Sequence, residues 1–352
     1  MKKPGLRIAT LIAAPLVLAM MVLGAQTASA AEVKGGKLTE GVGTKAEIKT
    51  KDTTLAYTFA VTKGRHVTLS TSGGRWTNDS GALWKLYTPG GEWADWWFVN
   101  KDPHVYEFTP NATGDWKLVL APLDNATGWS MITYASDVVA GPLKANESAT
   151  VENTVRGQNM VVKFGATKDQ HISLDVTATK FKDGKAIGRL YAPDGTLVEN
   201  FDVADKPTFY DFSPLVTGEW WLTIDPQDFA KGKATVNLVP DLAPVALKDD
   251  TAVTTTIKSR GQNASYTFSA TAGTKVPFSV TKSDWGKDGS AHLYFYRPDG
   301  VFIDHCVLGS KPATCAVYPT ASGTWKISLD PQGAATGSVT ISKGKAVAPT
   351  AQ

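Results

Sequence analysis

From residue 31 onward, apolar and polar positions alternate in short bursts and never settle into a long periodic stretch. Leu55, Tyr57, Phe59 and Val61 interleave with Ala56, Thr58 and Ala60, the period-two signature of a half-buried strand. Tyr266-Thr267-Phe268 repeats that signature, and Val162-Lys163-Phe164 repeats it one residue shifted. The following strand carries Val67 and Leu69, matched by Ile172 and Leu174 and by Val276 and Phe278. Pro277 occupies the outward position of the third version; a proline donates no ladder hydrogen bond, which places that strand at a sheet edge. The runs Leu83 to Thr88 and Glu92 to Phe98 flank Pro89-Gly90-Gly91 and predict a hairpin. Further strands are expected near residues 105–109, 116–120 and 130–134. Sustained helical periodicity appears nowhere beyond the leading segment. Short strands with frequent turns predict an all-β chain of β-sandwiches, jelly-roll or immunoglobulin-like in their connections.

The pattern occurs three times. Thr113-Gly114-Asp115-Trp116, Thr217-Gly218-Glu219-Trp220 and Ser322-Gly323-Thr324-Trp325 are spaced 104 and then 105 residues apart. Pro89-Gly90-Gly91, Pro193-Asp194-Gly195 and Pro298-Asp299-Gly300 keep the same interval, as do Pro122, Pro226 and Pro331 and then Gly128, Gly232 and Gly337. A fixed period of domain length means tandem copies of one folding unit, each large enough for its own core. The expected division is a leader over 1–30, copies over 31–140, 141–241 and 242–343, and a disordered tail over 344–352. Linkers are expected at Ala140-Gly141-Pro142 and Pro240-Asp241-Leu242-Ala243-Pro244.

Lys2, Lys3 and Arg7 precede an apolar stretch that ends at Ala28-Ser29-Ala30. This is the make-up of a bacterial-style secretory signal peptide cut after Ala30, and Thr10 and Pro15 interrupt it too early for a membrane anchor. The chain is therefore expected outside the cell or in its envelope, with no membrane insertion after cleavage. The formal charge of +3 equals the three basic residues of this leader, so the remainder is neutral. No basic patch is left to bind nucleic acid.

Cys306 falls where the other copies have Trp97 and Phe201, and Cys315 where they have Tyr106 and Tyr210. Both positions change together from aromatic to cysteine, which predicts a disulfide between residues facing each other on adjacent strands. The cysteines form no CxxC, and the histidines (His66, His104, His171, His292 and His305) form no HExxH, so a zinc hydrolase has no framework. Neither a nucleophile elbow nor a phosphate-binding loop occurs. The expectation is no enzyme, although a Ser/His/Asp set assembled from dispersed residues would be invisible at this level. No cofactor is indicated except possible calcium. Asp79, Asp183 and Asp288 recur in one oxygen-rich loop that offers calcium ligands, but Asp-Gly and Asn-Asp also simply make turns, the favoured reading.

Tryptophans separate into two groups. Trp116, Trp220 and Trp325 recur in register and read as core; Trp76 and Trp285 are equivalent and read the same way. Trp96 has Asn200 and His305 as counterparts, Trp129 has Lys233 and Ser338, and Trp221 has Lys117 and Lys326. A fold that accepts lysine at a site does not need tryptophan there for its core. Trp96, Trp129 and Trp221 are therefore candidate ligand-binding residues on an exposed surface, with contacts between copies as the competing explanation. Seven of the eleven tryptophans lie in the first copy, which points to that copy as the binding face.

Tyr57-x-Phe59-x-Val61 with Lys63-Gly64, Leu86-Tyr87-x-Pro89-x-Gly91 and Thr113-Gly114-x-Trp116 together resemble the bacterial pre-peptidase C-terminal domain family. The third copy fits best, through Tyr266-x-Phe268, Ala272-Gly273, Pro298-Asp299-Gly300 and Ser322-Gly323-x-Trp325; the second departs at Lys168-Asp169. The resemblance implies a jelly-roll-like sandwich of the kind that accompanies secreted hydrolases, related to domains that bind collagen or polysaccharide. The expectation is three tandem copies of that kind with no peptidase domain before them. The expected function is a secreted, non-catalytic protein binding an extracellular or cell-surface polymer, polysaccharide or protein. The alternative is an accessory or structural partner of a separate secreted enzyme or surface complex.

Overall fold

The computed structural model describes residues 30–348 except 79, 183–184, 204–206, 228–229 and 287–288. The proposed leader, most of the tail's end and the calcium candidates Asp79, Asp183 and Asp288 lie outside the described residues. The described chain is all-β. Its first nine strands are β1 (Ala31–Lys37), β2 (Thr44–Ile48), β3 (Thr53–Val61), β4 (Val67–Trp76), β5 (Ala82–Tyr87), β6 (Trp93–Val99), β7 (His104–Phe108), β8 (Gly114–Pro122) and β9 (Gly128–Ser136). The next nine are β10 (Val138–Leu143), β11 (Ser148–Glu152), β12 (Met160–Ala166), β13 (Ile172–Lys182), β14 (Ala186–Tyr191), β15 (Leu197–Val203), β16 (Thr208–Phe212), β17 (Gly218–Pro226) and β18 (Lys231–Pro240). The last nine are β19 (Val245–Ala246), β20 (Ala252–Ile257), β21 (Ala264–Ala270), β22 (Val276–Asp284), β23 (Ala291–Tyr296), β24 (Phe302–Leu308), β25 (Ala313–Val317), β26 (Gly323–Pro331) and β27 (Gly337–Lys343).

Each set of nine builds a five-stranded and a four-stranded sheet with one topology. In the first copy the orders are β1-β3-β8-β5-β6 and β2-β9-β4-β7, and the same orders recur nine and eighteen strands later. The edge pair β1/β3 is parallel, while β3/β8, β8/β5 and β5/β6 are antiparallel. Three separate apolar clusters form, each filled from both sheets of one copy. Phe59, Trp84 and Trp116 from the five-stranded sheet meet Leu69, Ile132 and Tyr134 from the four-stranded one, and the other copies repeat this arrangement.

The recurring tetrapeptide has a separate physical reason at each of its three shared positions. Thr113 Oγ1 accepts from Lys63 N, Thr217 Oγ1 from Lys168 N and Ser322 Oγ from Ala272 N, each at 2.9 Å. The glycine leaves room for the turn proline: a Cβ on Gly114 would stand 3.1 Å from Pro89 Cγ, and one on Gly218 would stand 2.7 Å from Pro193 Cγ. The tryptophan fills the core and donates its buried indole N–H to Ala112 O, Val216 O or Ala321 O at 3.1, 3.2 and 2.9 Å. A buried indole without that acceptor would carry a desolvation cost.

Several expectations change. Cys306 and Cys315 form the disulfide, with Cα atoms 6.2 Å apart, but β24 and β25 belong to different sheets. The bond therefore ties the two sheets together. Its counterparts are face-to-face stacks, Trp97 on Tyr106 at 4.4 Å and 2° and Phe201 on Tyr210 at 5.2 Å and 4°. Pro277 is not on an edge strand, because β22 lies between β27 and β25. It is tolerated there because the β27 ladder begins at Phe278, and Pro277 contributes only its carbonyl, to Gly344 N. Ala140-Gly141-Pro142, expected as a linker, lies within β10 and its parallel pairing to β12. Beyond β27, Lys275 and Val347 exchange both backbone hydrogen bonds at 2.8 and 2.9 Å, so the start of the expected tail is held against the third copy. Among the described residues, no helix is long and apolar enough to cross a membrane.

Candidate functional site

The three five-stranded sheets point one face inward and leave the other available. In β5, Ala82, Trp84 and Leu86 are buried, which turns Leu83, Lys85 and Tyr87 outward. In β14 the outward set is Ile187, Arg189 and Tyr191, and in β23 it is His292, Tyr294 and Tyr296. These three strands, each lying beside the edge strand, thus share one alternation, a direct consequence of the two-residue strand period.

In the first copy this outer face is dominated by large rings. Trp93, Trp96 and Phe98 on the edge strand β6 are 59%, 44% and 54% exposed, too open to be core. They stand opposite Tyr87, Lys85 and Leu83 respectively, and Trp96 meets Phe98 edge to face at 5.1 Å. The second copy offers Tyr191 stacked on Trp221 at 5.6 Å and 15°, beside Arg189, which is ion-paired to Asp225. In the third, His292 Nδ1 lies 2.9 Å from the Tyr294 hydroxyl. His305 and Phe302 extend that cluster, with Tyr294–His305 at 6.1 Å and Tyr296–Phe302 at 6.0 Å. The indole is not essential to the outer face, because tyrosine, histidine and phenylalanine supply the same flat surface.

The three candidate tryptophans therefore do not converge. Trp96 is on the first copy's five-stranded sheet and Trp221 is on the second copy's. Trp129 lies on the opposite, four-stranded sheet of the first copy, between Glu47 and Arg75 in the ladder. Its ring covers Gly73, and Lys45 Nζ stands 5.2 Å from its centroid. A cleft of about 590 Å³ opens between the first two copies, lined by Arg65, His66, Glu107, Arg189, Tyr191 and Trp221 among others. Trp221 thus belongs both to an outer face and to a contact zone between copies, joining the two explanations offered for it. The sequence reading missed Trp93, Phe98, Tyr191, Tyr294 and Tyr296. The available signal was their shared outward register, which a search confined to tryptophan passes over.

Among the described residues, no group of three or more His, Cys, Asp or Glu side chains is arranged to hold a metal ion. Several titratable groups displaced from their ordinary values lie where copies meet. Burial pulls the His66 pKa down, but the hydrogen bond and charge of Asp137, aided by Glu107 and Asp225, raise it overall. His171 follows the same course with Asp241, Asp211 and Asp330. Burial raises the carboxyls of Glu107, Asp211 and Asp330 despite the opposing charge of these histidines.

No family model matches the chain, and no curated protein matches it. Solved structures give distant likenesses. The pre-peptidase C-terminal domain of a Bacillus anthracis collagenase is 20% identical at a TM-score of 0.24, covering 29% of this chain and 93% of that one. The CUB1-EGF-CUB2 domains of rat MASP-1 are 8% identical at a TM-score of 0.19, covering 58% and 99%. The M60 catalytic domain of Clostridium perfringens ZmpB with its two CBM51 domains is 9% identical at 0.16, covering 85% and 37%. Scores this low leave the functional reading to the chain's own residues.

Proposed function

We propose that this chain is an exported, non-catalytic binding protein whose three copies are jelly-roll-like β-sandwiches engaging an extracellular or cell-surface polymer. The observation that carries the reading is the aromatic outer face repeated on all three five-stranded sheets. Flat rings flanked by Lys85, Arg189 and Lys326 suit a partner with both apolar faces and hydrogen-bonding edges, as a sugar ring has. The neutral remainder after residue 30 favours an uncharged polymer over nucleic acid. Weak faces acting together raise avidity without requiring any single deep pocket. The disulfide fits an oxidising compartment.

Co-sedimentation with insoluble polysaccharides and with collagen tests the proposal. Retention of the wild type that falls in Trp96→Ala and falls less in Trp129→Ala supports it. No retention of any protein on any polymer overturns it and leaves the accessory-partner reading.

A further inference from the structure

The two junctions between copies are built from corresponding residues. Asp137 Oδ1 lies 2.8 Å from His66 Nδ1, and Asp241 Oδ1 lies 2.7 Å from His171 Nδ1. From the following copy, Asn159 comes beside His66, and Asn263 comes beside His171. Val138 N donates to Asn159 O at 2.9 Å, and Leu242 N to Asn263 O at 2.8 Å. Gln158 Nε2 donates to Ser136 O at 2.6 Å, and Gln262 Nε2 to Pro240 O at 3.2 Å. Each glutamine also accepts at Oε1 from its own turn, from Thr154 N at 3.0 Å or Lys258 N at 3.3 Å. The second junction adds an ion pair between Arg260 and Asp175, whose side chains are 18% and 7% exposed.

The following copy enters each junction on the same tetrapeptide, Arg156-Gly157-Gln158-Asn159 and Arg260-Gly261-Gln262-Asn263. The glycines have φ of +74° and +71° and press on the copy before them. A Cβ on Gly157 would stand 2.6 Å from Val105 Cγ1, and one on Gly261 would collide with Ser173 and Asp211. The first copy has Lys51-Asp52-Thr53-Thr54 at these positions, and Asp52 keeps the same left-handed backbone at φ 54°. Among the described residues no other copy packs against this turn, and it carries a side chain. The trailing side of the third copy is altered in turn. Lys275 replaces the histidine, Pro277 replaces Thr68 and Ser173, Ala316 replaces Glu107 and Asp211, and Ala346 replaces the aspartate.

We propose that these junctions are a keyed head-to-tail joint, in which the Arg-Gly-Gln-Asn turn of one copy docks on the trailing His–Asp face of the copy before it. The residues that form the joint are present on every surface that meets another copy. They are replaced on the two surfaces that meet no copy among the described residues. The joint holds neighbouring copies in one orientation instead of letting them swing on a linker. It stands whether or not the outer faces bind a polymer. If they do, which rests on the function proposed above, a rigid joint favours a partner with regular, ordered spacing over a flexible coil, because fixed sites gain avidity only where the spacing matches.

Charged groups crowd both joints: Asp137, Glu107 and Asp225 surround His66, with Arg189 near Glu107, and Asp241, Asp211 and Asp330 surround His171, with His292 near Asp330.

Distance distributions between spin labels on the full chain test the joint. Lys101→Cys with Lys168→Cys spans the first junction, and Lys168→Cys with Lys311→Cys spans the second. Both distributions are expected to be narrow in the otherwise unaltered protein. Gly157→Asp should broaden only the first and Gly261→Asp only the second, while Asp52→Gly should broaden neither. Asp52 shows that the turn accepts aspartate, and hydrogen exchange in β12 and β21 reports that the copies remain folded. Broad distributions at the outset, or unchanged widths in both aspartate variants, overturn the joint.

Discussion

Replacing Cys306 and Cys315 by alanine removes the tie between the two sheets of the third copy. The bond joins residues nine apart. In the chain-entropy description, closing so short a loop stabilises by about 2.7 kcal/mol at 25 °C. At 1.4 kcal/mol per factor of ten, slowly exchanging amides of the third copy should exchange about 100-fold faster in the double-alanine variant. Hydrogen exchange read by mass spectrometry assigns the change to a copy, and the first two copies serve as internal references. Reduction of the wild type should reproduce the effect. Cys306→Trp with Cys315→Tyr imports the stack found at Trp97 and Tyr106 and should recover part of the loss, since a stacked pair contributes about 0.5–1.5 kcal/mol beyond the area it buries. Unchanged exchange in the third copy, or equal acceleration in all three, would refute the inter-sheet tie as a local stabiliser.

Arg260→Ala should destabilise by about 3–5 kcal/mol, because it strands a buried carboxylate; denaturant unfolding checks this, and rescue by Asp175→Asn would show that the stranded charge is the cause. Tyr266, buried and donating to Thr255 Oγ1 at 2.7 Å, has its pKa pushed up to about 12, burial outweighing the opposing hydrogen bond. Its neutral form is the one favoured by folding, so alkaline difference spectra of wild type against Tyr266→Phe should show no phenolate from this residue until about that pH or until unfolding. Thr113→Ala should cost about 1 kcal/mol through the lost acceptor for Lys63 N, measured by urea midpoint, with Thr113→Ser close to wild type. NMR titration should place both His66 and His171 above the ordinary imidazole value; a value below it for either contradicts the pairing with Asp137 or Asp241.

The strands from β3 to β9 and their equivalents were legible because most are short, alternate and stand in register with two others, whereas β1, β2, β10, β11, β19 and β20 went unread; β1, exposed throughout, offers no alternation to find. Thr-Gly-x-Trp was legible for the same reason, though its logic was not: a glycine beneath Pro89 and a hydroxyl on Lys63 N are contacts across about 25 and 50 residues. The cysteine pairing was visible as a double substitution, but not its placement, since consecutive strands such as β24 and β25 give no sign of changing sheet. The junctions were hidden because His66 and Asp137 are 71 positions apart, and Ala140-Gly141-Pro142 reads as a linker by composition although it pairs as a strand. The repeated Arg-Gly-Gln-Asn was readable in the chain. Its meaning depends on comparing it with Lys51-Asp52-Thr53-Thr54, a leading turn that no other copy meets among the described residues. The aromatic faces were half seen: Trp96 and Trp221 stood out against polar counterparts, whereas Tyr294 and Tyr296 looked ordinary without a surface to place them on.

The most direct test of the account is a binding isotherm of the full chain on an insoluble polysaccharide, for the wild type, for Trp96→Ala, and for a variant combining Trp96→Ala, Trp221→Ala and Tyr294→Ala. The account predicts saturable binding that weakens when one face is altered and disappears when all three are, with the folded state intact by circular dichroism. Binding by the triple variant equal to that of the wild type would contradict it.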